Sequence, residues 1–281
     1  MGRRLSQRIA YGVLLLTMIA VIVPVIYIIL QIVINGSSAI SWEFISQSPS
    51  QAGKAGGIFP ALVGTLFLMI GTILFALPIG VLAGIYLTEY ARDNWLTRVI
   101  NLAIINLAGV PSIVYGLFGL GIFVLAMGFG MSLLAASLTL ACQALAMTVT
   151  TSREAILAVP RELREGSLAV GATKWQTVRH VVLPQAWPGI ITGAILAMSR
   201  AAGETAPILI VGAAFLLPGL PQSPFDQFMA LPYHLYTVAA HVPGMPEATK
   251  WGVALVLLVV VLFFNVLATV VRLRTRTRRQ G

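Results

Sequence analysis

Glu165-Gly166-Ser167-Leu168-Ala169-Val170-Gly171-Ala172-Thr173-Lys174-Trp175-Gln176-Thr177-Val178-Arg179-His180-Val181-Val182-Leu183-Pro184 is the segment from which the architecture of this chain is read. It is a polar interruption between apolar runs that also carries helix signals. Just upstream, Pro160 stands where a helix can begin, because a proline at the first helical position forfeits no needed N–H. Arg161, Glu162, Arg164 and Glu165 make a charged opening, with Leu163, Ala169 and Val170 left to face something apolar. Gly171 predicts a stop, since glycine enters the left-handed region without strain. Thr173 predicts the cap of a second short helix in which Trp175, Val178 and Val182 recur at helical spacing, with Pro184 after its end. The segment therefore reads as helix, glycine turn and helix lying at a membrane surface.

Composition agrees with a membrane setting. The chain has 281 residues, 58% hydrophobic and only 10% charged, against roughly a quarter charged in soluble domains. Its mean hydropathy is +0.92. The formal charge of +9 does not read as a nucleic-acid footprint, because lysine and arginine stand at the ends of apolar runs with no aromatic interleaving. Cys142 is the only cysteine, so no internal disulfide can form, and its apolar surroundings make it a small packing residue. His180, His234 and His241 lack metal-ligand spacing with acidic partners.

The first apolar run, about residues 10–34, follows Arg3, Arg4 and Arg8. It exceeds the roughly 7–15 residues of a signal-peptide core and has no small-residue cleavage site after it, so it is expected to remain as the first span. Residues 35–59 read as a solvated loop that bounds a first segment, 1–59. Further apolar runs lie at about 60–88, 100–127, 132–150, 189–215 and 250–271, each long enough for the ~20 residues a spanning helix needs. Gly128-Phe129-Gly130 is expected to turn tightly between two of them. The expectation is an all-α membrane protein of six transmembrane helices, with a core over 60–272 and a basic tail over 273–281. Lys54 and Lys250 stand on one set of loops, Arg200 lies within a span, and every other basic residue stands on the other set. By the positive-inside rule that second set, with both termini, is cytoplasmic. The arginine-rich tail is expected to anchor the last helix against anionic lipid.

The fifth span carries Arg200-Ala201-Ala202-Gly203-Glu204-Thr205-Ala206-Pro207. A charge at mid-span costs about 2.5–3.5 kcal/mol even on lenient scales. Four residues apart on a helix, Arg200 and Glu204 can pair. Gly189, Gly193, Ala197 and Ala201 make a small-residue strip that lets another helix approach. Pro207 predicts a kink and a free carbonyl on Gly203. The pair can serve only to lock two helices. It can also line an anion path, Arg200 offering a planar fork of donors for an oxyanion and Glu204 holding it in place. In the third span, Gly109-Val110-Pro111-Ser112-Ile113-Val114-Tyr115-Gly116 places a helix-breaking proline and the hydroxyls of Ser112 and Tyr115 at mid-membrane depth. In the loop 216–249, residues 226 to about 240 can form a short amphipathic helix with Phe228, Leu231, Leu235 and Val238 on one face.

The Glu165–Pro184 segment resembles the signature loop of ABC-importer permeases, in which Glu-Ala-Ala is followed by glycine and then Ile-x-Leu-Pro. Gly171 and Val181-Val182-Leu183-Pro184 fall at the matching distances, while Gly166 and Ser167 replace the alanines and Val181 the isoleucine. Pro111–Gly116 and Arg200–Thr205 are similar to the Pro-Ser-x-x-Tyr-Gly and Arg-Ala-x-Gly-Glu-Thr stretches of the phosphate-specific branch. Ala230-Leu231-Pro232-Tyr233-His234-Leu235-Tyr236, the compact length and the arginine-rich end resemble the A-type of two homologous permeases that pair in that branch. The resemblance covers about residues 60–272. It implies a type I ABC-importer permease fold in a bacterial plasma membrane, and half of a phosphate pathway carried by Arg200, Glu204, Thr205, Ser112 and Tyr115. It further implies an ATPase dimer docked on the loop 151–187 through Glu165, Gly171, Ala172, Thr173, Lys174, Trp175, Leu183 and Pro184. A C-type permease and an external phosphate-binding protein complete the implied assembly. The chain itself is expected to bind no cofactor, ATP residing on the partner.

No lysine stands in a Gly-x4-Gly-Lys-Ser/Thr loop, and no nucleophile has an acid–base partner, so covalent chemistry is not expected of this chain. A permease for molybdate or sulfate remains a rival within the class. A self-sufficient secondary anion transporter is a rival outside it, although paired broken helices in matching halves are not evident in the sequence.

Overall fold

The computed structural model describes residues 2–217 and 219–277, without the side chains of residues 2–6, 8, 9 and 274–277. Expectations for Pro218, Arg278, Arg279 and the side chains of Arg3, Arg4, Arg8, Arg274 and Arg276 lie outside what is described.

Helix α1 (Gly2–Gly36) is apolar on every side from Ala10 to Leu30, which leaves no polar face for solvent there. A single turn over Ser37–Ala39 leads to α2 (Trp42–Ser46) and a two-stranded antiparallel ribbon, β1 (Pro49–Ser50) with β2 (Ala55–Gly56). Residues 35–59 thus contain short elements of their own, with most side chains between α1 and the next long helix exposed. Ser41 caps α2 by accepting from the Phe44 N–H at 3.0 Å, and Phe44 and Ile58 are buried beneath the polar turns.

Helix α3 (Phe59–Ile85) widens into a π turn over Tyr86–Tyr90. Helices α4 (Trp95–Gly109) and α5 (Ser112–Gly119, continuing as a π turn to Ala126) replace the expected continuous span at 100–127, because the two are bent by 105°. Proline disfavours helical backbone in the residue before it, and Val110 (ψ 128°) and Pro111 (ψ 141°) are both extended. Gly128 and Gly130, both with left-handed φ, make the expected tight turn into α6 (Leu133–Leu157). After α7 (Arg161–Ala169) and α8 (Lys174–Thr177), a π turn over Val178–Val182 runs without a stop into α9 (Leu183–Gly203). Pro184 lies inside this continuous run and does not end the helix before it; the carbonyls that its ring and missing N–H would disturb lie in the π turn just upstream. The chain then breaks at Glu204, resumes as α10 (Ala206–Val211), and finishes with α11 (Leu231–Ala240) and α12 (Glu247–Thr277).

Among the described residues, five helices are long and apolar enough to cross a membrane, or six with the bent α4–α5 pair counted as one. Helix α6 is central: 56% of its most apolar window is buried, against none of the corresponding window of α1. Helices gain little hydrophobic drive from one another in lipid, so close approach through small residues holds them. A Cβ on Gly189 of α9 would lie 2.7 Å from that of Ala155, and one on Gly193 would overlap Thr151. On α3, Gly80 meets Thr148 in the same way, and a Cβ on Gly84 would fall 2.8 Å from that of Ser152. Gly80 and Gly84 of α3 and Gly189 and Gly193 of α9 thus bring both helices close against one stretch of α6, residues 148–155. Helix α12 lies along α9 and α1, where a Cβ on Gly36 would stand 2.6 Å from the Trp251 carbonyl oxygen.

At one end of the bundle the loop 212–246 folds inward. Ala213 and Phe228 form a β-bridge, Phe228 to Leu231 are buried, and the Leu231 N–H donates to Thr65 at 2.8 Å. The expected helix in this loop is shorter than 226–240, starting at Leu231, because residues 228–230 are spent on that inward run. At the other end, Val81, Ile85, Ile156, Val178 and Val182 pack together beneath α7 and α8.

Gly64→Ala is expected to destabilise the protein by more than the ~1–3 kcal/mol of ordinary overpacking, since the added Cβ would strike the Met229 carbonyl, which cannot move aside. Gly166→Ala, with open space around it, is expected to be neutral or to stabilise α7 by about 0.5–1 kcal/mol. Thermal midpoints of the two variants in detergent test the contrast.

His234, in α11 and outside the spans, is 1% exposed with Nδ1 unpartnered. Burial pushes its pKa down to about 4 from 6.5, against a smaller opposing pull from the Phe215 backbone. The unfolded chain thus takes up this proton first as pH falls. The stability associated with neutral His234 is complete above about pH 6.5 and is lost toward pH 4, roughly 3 kcal/mol at full extent. Phe215 stacks on the ring, so His234→Phe is expected to keep the packing and flatten stability between those two pH values.

Candidate functional site

Two breaks in the helical ladder face each other. One is Val110-Pro111, between α4 and α5. The other is Glu204-Thr205, between α9 and α10, where Glu204 is extended (ψ 125°). The expected kink at Pro207 is a full interruption, because its ring would collide with the Gly203 carbonyl if the helix continued. The breaks are brought together by Gly116, where a Cβ would lie 2.9 Å from the Cα of Pro207. Non-helical backbone at membrane depth is tolerated where protein or a cavity surrounds it, and both conditions hold here.

Arg200 and Glu204 pair as expected, with Nε to Oε1 at 3.4 Å. The same Oε1 accepts a shorter bond, 2.7 Å, from Nε2 of Gln143 on α6. The Glu204 side chain is 17% exposed and that of Arg200 60%. The carboxylate is thus tied down on the inside while the guanidinium reaches out. Its terminal nitrogens have no hydrogen bond among the described residues, which leaves the bidentate edge of the fork open.

Arg200 lines two adjoining spaces. One, of about 20 Å³, lies between α6 and α9 against Gln143, Met147, Ala197 and Glu204. The other, of about 330 Å³, is bounded by Leu107, Val110, Tyr115, Gln143, Thr150 and Glu154 as well. Tyr115 spends its hydroxyl proton on the Leu107 carbonyl at 2.8 Å, tying α5 back across the Pro111 break. Ser112, half-buried in the first turn of α5, and Thr205, half-buried at the α9–α10 break, do not line either space. Gln143 escaped the sequence reading because it sits alone in an apolar run; its uncharged polarity at mid-span was the only available signal. Among the described residues no group of three His, Cys, Asp or Glu could hold a metal.

The coupling segment has the expected form with shifted joints. Helix α7 starts at Arg161, one residue after Pro160, and ends before Gly171 (φ +86°). Thr173 and Gln176 make a reciprocal capping box, the Thr173 N–H donating to Gln176 Oε1 at 2.7 Å. Val178 and Val182 are buried, whereas Leu163, Leu168, Val170 and Trp175 are exposed, Val170 at 86%. Glu165, Ala172 and Lys174 lie on the same outer surface, Lys174 with its ammonium 5.1 Å from the centroid of the Tyr90 ring. Leu183 and Pro184 are inside the continuous helix, Leu183 half-buried and Pro184 exposed.

Residues 76–277 match the family described as binding-protein-dependent transport system inner membrane component. The chain belongs to that family. It is thus a non-catalytic permease subunit of an ABC transporter in the inner membrane, working with an ATPase and a substrate-binding protein. Among curated relatives, a probable ABC transporter permease protein YqgI of Bacillus subtilis is 35% identical, covering 95% of both chains. The phosphate transport system permease protein PstA 1 of Mycobacterium tuberculosis is 33% identical over 99% of this chain and 91% of its own length. Of solved structures, the MetNI methionine transporter in inward-facing form aligns at TM-score 0.62 and 21% identity, covering 78% of this chain and 97% of its own. A bacterial alginate importer aligns at TM-score 0.64 and 15% identity over 93% and 95%. These likenesses establish the type I permease fold.

Gln143→Leu in the permease is expected to cost about 1.5–3 kcal/mol, the worth of a hydrogen bond to a charged group. Glu204→Gln in the same background should recover most of that loss, because the buried charge has gone. Additive losses in denaturation midpoint would show that the two side chains are not coupled.

Proposed function

We propose that this permease forms one half of the membrane pathway of an ATP-driven importer of inorganic phosphate. The observation that carries the reading is Arg200, held at Nε by a half-buried carboxylate and open at its terminal nitrogens toward a cavity of about 330 Å³. A guanidinium so placed gives paired donors to a tetrahedral oxyanion, and Glu204 offsets its charge while no anion is present. Two relatives support the choice of anion, the phosphate transport system permease protein PstA 1 of Mycobacterium tuberculosis and a probable phosphate transport system permease protein PstA of Methanocaldococcus jannaschii.

The pathway is completed by a C-type permease against the open side of the cavity. In this reading Ser112, Thr205 and Tyr115 shape the path, the last by holding the α4–α5 bend. An ATPase dimer docks on the loop 151–187 through the exposed Leu163, Leu168, Val170 and Trp175 beside Glu165 and Lys174, and ATP binds there, not on this chain. The basic set of loops faces the cytoplasm and the 37–58 and 212–246 caps face the external phosphate-binding protein, as the charge asymmetry supports.

Phosphate uptake into proteoliposomes bearing the whole complex should require both ATP and the binding protein. Arg200→Ala should lower that uptake at least tenfold with the complex still assembled on size-exclusion chromatography. Loss of assembly would mean that Arg200 only locks helices. ATP-driven uptake of sulfate or molybdate, with none of phosphate, would replace the substrate.

A further inference from the structure

We propose that Arg164 is the joint binding the coupling helix α7 to the ends of α3 and α6, and that it sets how much of each ATPase movement reaches the membrane path. The proposal rests on the ATP-driven importer reading given above. Helix α7 has turns on both sides, at residues 158–160 and 170–173, and its large apolar side chains point outward. It packs against the π turn at Val178–Val182, and Ser167 and Thr177 share a hydroxyl hydrogen bond of 2.9 Å that links α7 to α8. Among the described residues, its side-chain hydrogen bonds toward the ends of α3 and α6 come from one residue.

Arg164 makes three polar contacts. Its Nη2 donates to the Ile156 carbonyl at 2.7 Å, in the last turn of α6, and its Nη1 to the Val159 carbonyl at 2.6 Å, in the turn that follows. Its Nε pairs with Glu89 Oε1, in the π turn that ends α3, at 3.3 Å. The two side chains are only 18% and 12% exposed, unlike the Arg98–Asp93 pair nearby at 72% and 79%. Carbonyls at a helix C-terminus carry partial negative charge and lack helical donors. A planar guanidinium reaches two of them and a carboxylate together, whereas an ammonium is a single point of charge. A buried pair broken on one side leaves an uncompensated charge, so Arg164 and Glu89 move together or the contact opens. Because α3 and α6 are clasped along their small-residue seam, moving their shared end moves the helix that carries Gln143.

The test uses the complete complex in proteoliposomes with the external binding protein, measuring phosphate taken up and ATP hydrolysed on the same preparation. Arg164→Gln should lower phosphate per ATP at least tenfold while assembly and ATP hydrolysis persist. Arg164→Lys, which keeps the charge but not the fork, should fall between. Glu89→Gln, which leaves the two carbonyl contacts, should lose less than Arg164→Gln. An unchanged ratio in Arg164→Gln overturns the joint, as does a fall of uptake and hydrolysis in equal proportion. Loss of assembly in both Arg164 variants would reduce Arg164 to a structural residue and also overturn it. Wild-type uptake that ignores ATP would instead sink the importer reading, an outcome separate from any result with the variants.

Discussion

Helices in hydrocarbon gain nothing by hiding apolar side chains from lipid, and that constraint shapes this fold. What they can gain is contact, and contact needs backbones close together. Helix α6 satisfies the condition on two sides, meeting Gly80 and Gly84 of α3 and Gly189 and Gly193 of α9 with its own Ser, Thr and Ala positions. The hydroxyls do not interrupt this packing. Thr148 and Thr151 return theirs to the Ala144 and Met147 carbonyls one turn earlier at 3.1 and 2.9 Å, so the seam is polar in composition yet satisfied within the helix. Remove the seam and the two helices that flank the cavity have no common reference.

With α6 fixed, broken backbone becomes possible at membrane depth. The Val110-Pro111 break is bridged by Tyr115 to Leu107. The Glu204-Thr205 break is anchored by Gln143 on α6. Each interruption frees a polar group that lipid would penalise by several kcal/mol, and each is placed against protein or the cavity instead. The charge of Arg200 follows the same logic. It is tolerable at mid-span because Glu204 faces it and because its exposed edge opens on a space large enough for water or an anion.

Much of this could be read from the residues, and the misreadings have physical causes. Apolar run length predicts the spans because the bilayer sets one dimension for all of them. The glycine turn at Gly171 and the cap at Thr173 are local chemistry, and both stand where expected. Helix continuity was harder. Pro184 predicts an end to the helix before it, whereas the π turn at Val178–Val182 carries the helix through. Pro207 predicts a kink and Pro111 a break in the bonding of one span, where the structure has a full interruption and a bend of 105°. In each case the outcome is settled by what surrounds the freed carbonyl, which is tertiary information. The inward run of residues 228–231 and the Gln143 contact are likewise invisible to periodicity, because they depend on segments far apart in the chain meeting in space.

One consequence of the true helix boundaries is mechanical. Because α8 continues through the π turn into α9, the segment Lys174–Gly203 is a single run of 30 residues, about 45 Å at the rise of an α-helix. Its first turn carries the exposed Trp175 and its last turn carries Arg200. A push at the coupling surface is therefore delivered along one rod to the charged residue at mid-membrane, with the π turn at Val178–Val182 as its irregular point. Such widened turns occur often at functional sites in helices, and this one lies beside the buried contact of α7 with the bundle. The permease thus has two routes from the coupling surface to the cavity: directly along α9, and through α7 to the ends of α3 and α6. Since α6 packs closely against both α3 and α9, the routes converge where Gln143 of α6 holds Glu204 beside Arg200 of α9. A movement that shifted one helix without the other would break that hydrogen bond, so the state of the anion site reports whether the two routes have moved in step.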